Sequence, residues 1–354
     1  MAGARRLLIA GHSLAFSAPL ARRARRAGAE VREDRWSRHG VHEEGASADA
    51  VAWADVVLCE WCLGNATWFS QNKRPGQRLV VRFHRMELET QYPATVDLEQ
   101  VDAMVFVARH VLEQACERFG WPADDPRLQV IPNAIEPGTL AAPKLPGAEF
   151  NLAMIGYVPR LKRLDLALDL LDLLRVRDER YRLLVKGRAP WDYEWMADRG
   201  EERRYFADLL RRIERSPNLR RAVSFEPFGE DVPAFLRQAG WIVSTSEVEG
   251  HSLALAEGMA SGAAPVILQR PGAAEQYEAR WVHADADAAA LWTLAVREAG
   301  KAPMEGEAAA RFTERWSWAR VGPVWARLLL GEPSAGPGAA TVSGTPAGAQ
   351  AARA

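Results

Sequence analysis

Short apolar runs alternate with longer amphipathic stretches along most of this chain, and few folds accommodate that pattern. In the first half the runs are Leu7-Leu8-Ile9-Ala10, Val56-Val57-Leu58-Cys59, Leu79-Val80-Val81, Met104-Val105-Phe106-Val107 and Gln129-Val130-Ile131. Continuous apolar runs of this length suit strands buried on both faces. Helix-like spacing over 18–27 and 110–119 lies between them. Alternating strand and helix predicts a doubly wound α/β sheet. The pattern stops at Pro132-Asn133-Ala134-Ile135-Glu136-Pro137-Gly138 and the proline-rich stretch behind it, which reads as a linker. It then restarts, with strands expected over 151–156, 181–185, 222–225, 241–244 and 264–268 and a helix over 161–174.

The expected organisation is therefore two α/β domains, 1–146 and 147–311, followed by a tryptophan-rich helical segment over 312–330, kinked near Gly322-Pro323. Residues 331–354 are almost entirely Gly, Ala, Pro, Ser and Thr, a composition that predicts disorder. A length of 354 residues suits two domains.

Charge and cysteine content remove several function classes. There are 45 basic and 46 acidic residues, a balance that argues against nucleic acid held by a net positive field. No uninterrupted apolar stretch is long enough to cross a membrane, and residues 1–16 read as a strand and turn, not a signal peptide. Three cysteines cannot build a disulfide framework, so a reducing, cytoplasmic setting is expected. Cys59-Glu60-Trp61-Cys62 has neither a second cysteine pair nor metal-spaced histidines after it. It reads as core at a strand end, and no metal site is expected. Arg22, Arg23, Arg25 and Arg26 read as a solvated helix face; the sharper alternative is weak peripheral contact with an anionic membrane at its inner face.

The densest chemical signal is the segment from Ser244 to Gly262, STSEVEGHSLALAEGMASG. It begins at the carboxyl end of an expected strand, where open α/β sheets bind ligands. Gly250 lets backbone approach a ligand. Ser252 is an N-cap, and the helix start behind it offers amides and a positive dipole end to phosphate. Glu257, one turn into that helix, suits vicinal hydroxyls such as those of ribose, and Glu249 suits a second polyol. Sugar, diphosphate and ribose in order make a sugar nucleotide. Lysine is rare here, only five in the chain, which marks Lys162 at the start of the expected 161–174 helix.

Several of these segments resemble the retaining GT-B glycosyltransferases of the glycogen-synthase/sucrose-synthase-like group. The match is carried by Ser246-x-x-Glu249-Gly250, the gap to Glu257, and Met259-Ala260-x-Gly262-x-x-Pro265-Val266. Val130 to Ile135 resembles the segment closing that family's first domain. Asn151 to Lys162 resembles its first C-domain strand and phosphate loop, and Arg82-Phe83-His84-Arg85 the strand end that carries a histidine. The likeness runs over about residues 5 to 330 and is specific only in its C-terminal part. It implies the GT-B fold: two Rossmann-like domains facing across a cleft, with the C-terminal helix crossing back to the first.

By the same resemblance, Lys162 contacts the donor diphosphate, Glu249 the donor sugar, Glu257 the ribose, and the Ser252 and Leu253 backbone the phosphate. Gly250 and His251 border the donor, Gly11 lies in the first-strand loop, and His84 lies beside the reacting sugar. The sequence departs from the family at Tyr157, where an arginine is usual, and Arg160 is the expected substitute guanidinium. The implied activity is metal-independent transfer of a glycosyl unit, with retention, from a nucleotide-diphosphate sugar to a glycan, lipid-linked or small-molecule acceptor. No cofactor is implied beyond that co-substrate. The alternative is a catalytically impaired GT-B subunit that binds a sugar nucleotide or a partner. A dinucleotide-dependent oxidoreductase would need G-x-G-x-x-G after the first strand, which Gly11-His12-Ser13-Leu14-Ala15-Phe16 does not supply. A sugar-nucleotide epimerase on the same fold would act without an acceptor.

Overall fold

In the computed structural model, which describes residues 4–331, the alternating pattern produces two separate parallel sheets. The chain divides into two units. The first runs to Pro132 and resumes at Gly322, and the second spans Asn133–Val321. The division falls earlier than the boundary expected after residue 146. Beyond residue 331, the segment expected to be disordered lies outside the described residues.

In the first unit the strands are β1 (Arg6–Gly11), β2 (Glu30–Arg35), β3 (Val56–Glu60), β4 (Arg78–Phe83), β5 (Ala103–Phe106) and β6 (Leu128–Val130). They pair in parallel in the order β2-β1-β3-β4-β5-β6. Every residue of β3 is buried, as a central strand with helices on both faces requires. The sequence gives no apolar run for β2. Its segment, EVREDR, forms the sheet edge and faces solvent over most of its length, so nothing selects for apolar residues there. Cys59 and Cys62 are fully buried core residues, and burial pushes both thiols well up, which leaves them unreactive. Towards the C-terminus, Trp325 is buried in this unit beneath the Arg82 guanidinium, 5.3 Å from the ring centroid.

The second unit contains β7 (Asn151–Ile155), β8 (Arg182–Lys186), β9 (Val223–Glu226), β10 (Trp241–Ser244), β11 (Ala264–Leu268) and β12 (Val282–His283). The order is β12-β11-β10-β7-β8-β9, all parallel. Counted from its first strand, this is the 3-2-1-4-5-6 order of Rossmann dinucleotide-binding sheets. The chain leaves β7 towards one edge and returns through β10 towards the other. Helices after the two strands therefore lie on opposite faces, and a crevice opens between their carboxyl ends.

Two glycines set the packing around that crevice. A Cβ on Gly258 would lie 2.3 Å from Ile242 Cγ1, so the helix Leu253–Ala260 rests directly on β10. A Cβ on Gly306 would lie 2.0 Å from the Gly262 carbonyl oxygen, a backbone atom that cannot swing away. Gly306→Ala is therefore expected to destabilise the second unit by about 1–3 kcal/mol through overpacking. Thermal unfolding checks this, with a fall of about 2–4 °C per kcal/mol in a unit of this size.

The helical segment expected over 312–330 is broken. One helix ends at Thr313, a 3-10 turn covers Glu314–Trp316, and a second helix runs Trp318–Leu330 with Pro323 inside it. The cause is a long-range bridge. Ile135 N–H donates to the Trp316 carbonyl at 2.9 Å and Trp318 N–H donates to the Ile135 carbonyl at 3.0 Å, which holds Ser317 extended. No helix among the described residues is long and apolar enough to cross a membrane.

Candidate functional site

The loops after β7 and β10 meet at the switch point of the second sheet. Backbone and side-chain hydrogen bonds hold them together. Glu247 N–H donates to the Leu161 carbonyl at 2.8 Å, and the Thr245 hydroxyl lies 2.9 Å from both the Lys162 and Arg163 carbonyls. Gly156, just past β7, has φ +76, a left-handed conformation that favours glycine. Arg163 is also left-handed, φ +54, and this separates a 3-10 turn, Arg160–Lys162, from the helix Leu164–Arg177. Lys162 therefore sits on the turn, not in the helix expected to begin at 161.

This fixed turn aims Lys162 at the facing loop. Its Nζ lies 2.5 Å from Glu249 Oε1, and the Ser246 hydroxyl donates to the same oxygen at 2.8 Å. Burial works to raise the Glu249 pKa, but the Lys162 ammonium, the Arg270 guanidinium and the Ser246 hydroxyl outweigh it and hold it below the usual value. The carboxylate is thus an ionised acceptor, poised against a cation.

Beside this pair the helix Leu253–Ala260 begins. Ser252 is its N-cap in extended conformation, and its hydroxyl accepts from Leu255 N–H at 3.3 Å. No earlier helical turn receives the first amides, Leu253 and Ala254, so they and the dipole form an anion-attracting end. Lys162, Ser246, Glu249, Ser252 and Ala254 line one narrow crevice with Gly156. One turn along, the Glu257 carboxyl has no hydrogen-bond partner among the described residues, and burial alone raises its pKa to about 7. A half-buried carboxyl without a partner lacks the donors that its charged form needs.

Other expected residues are placed differently. The exposed Arg160 does not join Lys162 and Glu249. Its guanidinium lies 3.5 Å from Glu201 and 3.5 Å from Glu202, and its backbone N–H donates to Glu202 at 2.8 Å. The first turn of the helix Gly200–Arg215 pairs with it in this structure. Arg160→Ala is therefore expected to leave steady-state turnover within about threefold of wild type, as for a solvated ion pair. Tyr157 is buried against Phe225 and Phe206, with ring centroids 5.5 and 6.1 Å away. It helps line a cavity of about 550 Å³ with Gly187, Arg188, Phe225, Pro227 and Phe228, beyond the ends of β8 and β9.

The His251 ring packs edge-on against Trp316 at 4.6 Å, and its carbonyl accepts from Asn133 Nδ2 at 3.0 Å. The Gly250 carbonyl accepts from Gln276 Nε2 at 3.0 Å. Arg270 escaped the sequence reading. It is buried two residues past the end of β11, beside β10, and its charge reaches Glu249. A basic residue just past a strand's carboxyl end was the available signal.

Gly11 and His84 belong to the first unit and form a cluster there. A Cβ on Gly11 would lie 2.5 Å from the Glu60 carbonyl oxygen, so this strand end requires glycine. His84 Nε2 lies 2.6 Å from Glu60 Oε1, and its backbone N–H donates to Glu87 at 2.9 Å. Glu60 is fully buried. Its pKa is nevertheless depressed, because Arg82, His84 and Ser17 together outweigh the desolvation. The His84 ring rests on Trp61, centroid distance 4.1 Å.

Residues 149–297, most of the second unit, match the family Glycosyl transferases group 1. The fold is GT-B. It is shared with Anabaena Alr3699/HepE, solved with UDP-glucose, at TM-score 0.69 and 14% identity over 92% of this chain and 100% of that one. A glycosyltransferase from Rickettsia africae ESF-5 gives TM-score 0.67 and 13% identity, over 92% of this chain and 99% of that one. The pneumococcal O-GlcNAc transferase GtfA, solved with UDP and GlcNAc, gives 0.63 and 15%, over 81% of this chain and 59% of that one. The chain spans 54% of another neighbour, TarM. At these identities the GT-B likeness speaks to fold alone. A comparison with curated proteins finds no match.

Proposed function

We propose that the protein transfers a glycosyl unit from a nucleotide-diphosphate sugar to an acceptor hydroxyl, with retained anomeric configuration. The group 1 match over the second unit and the nucleotide-sugar-bound neighbours support glycosyl transfer. One observation carries the site assignment. At a Rossmann switch point, a lysine–glutamate pair 2.5 Å apart stands against the start of a capped helix that bears a second, unpartnered glutamate.

Each part has a task. The diphosphate binds at the Leu253 and Ala254 amides and draws Lys162, whose charge offsets that of the departing phosphate. Glu249, released from part of its ion pair, accepts hydrogen bonds from donor-sugar hydroxyls and orients the ring. Glu257 accepts from the ribose hydroxyls. The cavity beside Tyr157 and Phe228 takes the base. The acceptor attacks from the face the phosphate leaves, and the leaving phosphate oxygen takes its proton. Positioning and preorganised charge supply the rate, with no metal in the scheme.

The test is a transfer assay with purified protein, a panel of nucleotide-diphosphate sugars, and NMR of the product anomer, with and without EDTA. Transfer or slow donor hydrolysis with the donor's anomeric configuration, unchanged by EDTA, is the expected result. An inverted product removes retention, and loss of activity in EDTA removes metal independence. A second reading, a donor-binding subunit without turnover, is favoured by the capture of Arg160 by Glu201 and Glu202. It predicts binding of a nucleoside diphosphate with no transfer.

A further inference from the structure

The first unit contains a cavity of about 550 Å³ that none of the chemistry above uses. It lies beyond the carboxyl ends of β2, β3 and β4, the side of a parallel sheet on which ligands bind. Trp36 directly follows β2, Trp68 lies on the helix Gly64–Asn72 after β3, and Tyr92 lies in a turn after β4. Gly40 and Gly64 bring these loops together: a Cβ on Gly40 would lie 2.7 Å from the Tyr92 hydroxyl, and one on Gly64 2.7 Å from Gly40 Cα.

The aromatic wall is built rigidly. Trp36 and His42 stack at 3.9 Å with planes 7° apart, and His42 meets Trp68 edge-on at 5.2 Å. Trp36 Nε1 donates to Asp34 at 3.0 Å, and the Ser47 hydroxyl donates to the same carboxylate oxygen at 2.6 Å. With its proton committed to Asp34, Ser47 must accept from His42 Nδ1–H, 2.7 Å away. With a proton on Nδ1 directed at Ser47, the ring turns Nε2 away from this network. That nitrogen has no partner among the described residues.

The rim is polar but uncharged. Gln71 and Gln91 are exposed at its mouth, and their carboxamides make no hydrogen bond among the described residues. None of the ten lining residues is Lys, Arg, Asp or Glu. An acyl chain has no use for two carboxamides and an imidazole nitrogen. A phosphorylated or acidic sugar would find no cation. A neutral pyranose matches each feature: its CH face packs on indole or phenol, and its hydroxyls alternate as donors and acceptors.

We propose that this pocket binds a neutral pyranoside, through the Trp68 and Tyr92 rings, His42 Nε2 and the carboxamides of Gln71 and Gln91. The pocket stands on its own geometry. Its role as the seat of the acceptor, which makes the acceptor a neutral glycan, rests on the transfer reading.

Saturation-transfer NMR on the full chain tests it, with methyl glycosides of glucose, galactose, mannose and N-acetylglucosamine. Glucose 6-phosphate, glucuronate and decanoate serve as comparison probes. At least one methyl glycoside should receive saturation, and its affinity should fall about tenfold in Trp68→Ala and in Gln71→Ala. Gln71 is exposed, so its removal leaves the fold intact, which unchanged circular dichroism and unchanged UDP binding would verify. Absence of saturation transfer to every methyl glycoside overturns the proposal. So does affinity unchanged in both variants, or binding confined to the charged or acyl probes. Glycoside binding in a protein that neither binds nor turns over a donor would sink the transfer reading and leave the pocket standing. Donor turnover without glycoside binding would do the reverse.

Discussion

Lys162→Ala is expected to lower the rate of glycosyl transfer, and of donor hydrolysis without acceptor, by about 10²–10³. The loss arises where charge develops. As the sugar–phosphate bond breaks, negative charge collects on the leaving diphosphate. Lys162 lines the crevice, held 2.5 Å from Glu249 by a turn that Thr245 and Glu247 pin in place. Arg270 is buried in the neighbouring loop, and Arg160 pairs with Glu201 and Glu202 on the exposed side of its turn. The substitution also leaves Glu249 without its ammonium partner, and burial then works to raise its pKa, towards the protonated form. Lys162→Arg separates the two effects. It keeps the charge beside Glu249 but changes its reach, so it should restore the stability lost in Lys162→Ala more fully than the rate. Single-turnover measurements with saturating donor read the chemical step directly, and an unchanged rate in Lys162→Ala would remove the residue from the mechanism.

Glu257→Gln should act in opposite directions on stability and on binding. Burial raises the Glu257 pKa to about 7, above the ordinary value of 4.5. A carboxyl with a raised folded-state pKa stabilises the fold fully below its unfolded value, and that contribution is lost as pH rises through about 7. At pH 8 the wild-type apoprotein therefore carries a poorly solvated charge that the glutamine variant lacks. Because the side chain is partly open to solvent, the expected gain at pH 8 is about 1–3 kcal/mol, not the full value of the shift. At pH 4.5 the two proteins should unfold alike. Binding responds the other way. Ribose hydroxyls donate best to the ionised form, so wild-type affinity for a nucleoside diphosphate should climb as pH passes from 6 to 8. The variant should bind about ten- to a hundredfold more weakly at pH 8, the loss of charge-assisted hydrogen bonds. Thermal unfolding and calorimetric titration across that range check both signs. A variant that is neither stabilised nor weakened at pH 8 would place Glu257 outside the ligand's reach.

The parts of this site that the sequence disclosed are those that lie close together in the chain. Ser246, Glu249, Gly250, Ser252 and Glu257 fall on one loop and one helix, so capping and helical spacing group them locally, and Ser246, Glu249 and Ser252 line the crevice together. Lys162 was legible for a different reason: lysine is scarce in an arginine-rich chain. Arg270 was hidden by that same abundance of arginine. The pairing of Arg160 depends on Glu201 and Glu202, about forty residues away and silent in local pattern. Fold class followed from the buried strands, whose apolar runs are unambiguous. The edge strand β2 left no such run, and the break at Glu314–Ser317 depends on a bridge to Ile135 that no local propensity encodes.

On the proposed reading, the start of the helix Leu253–Ala260, with Lys162 and Glu249 beside it and Glu257 one turn along, holds a nucleotide diphosphate. The most direct test is a crystal structure of the protein with a nucleoside diphosphate bound. The terminal phosphate is expected on the Leu253 and Ala254 amides within reach of Lys162 Nζ, and the ribose hydroxyls on Glu257. A diphosphate bound elsewhere, with Lys162 still closed on Glu249 and Glu257 untouched, would contradict it.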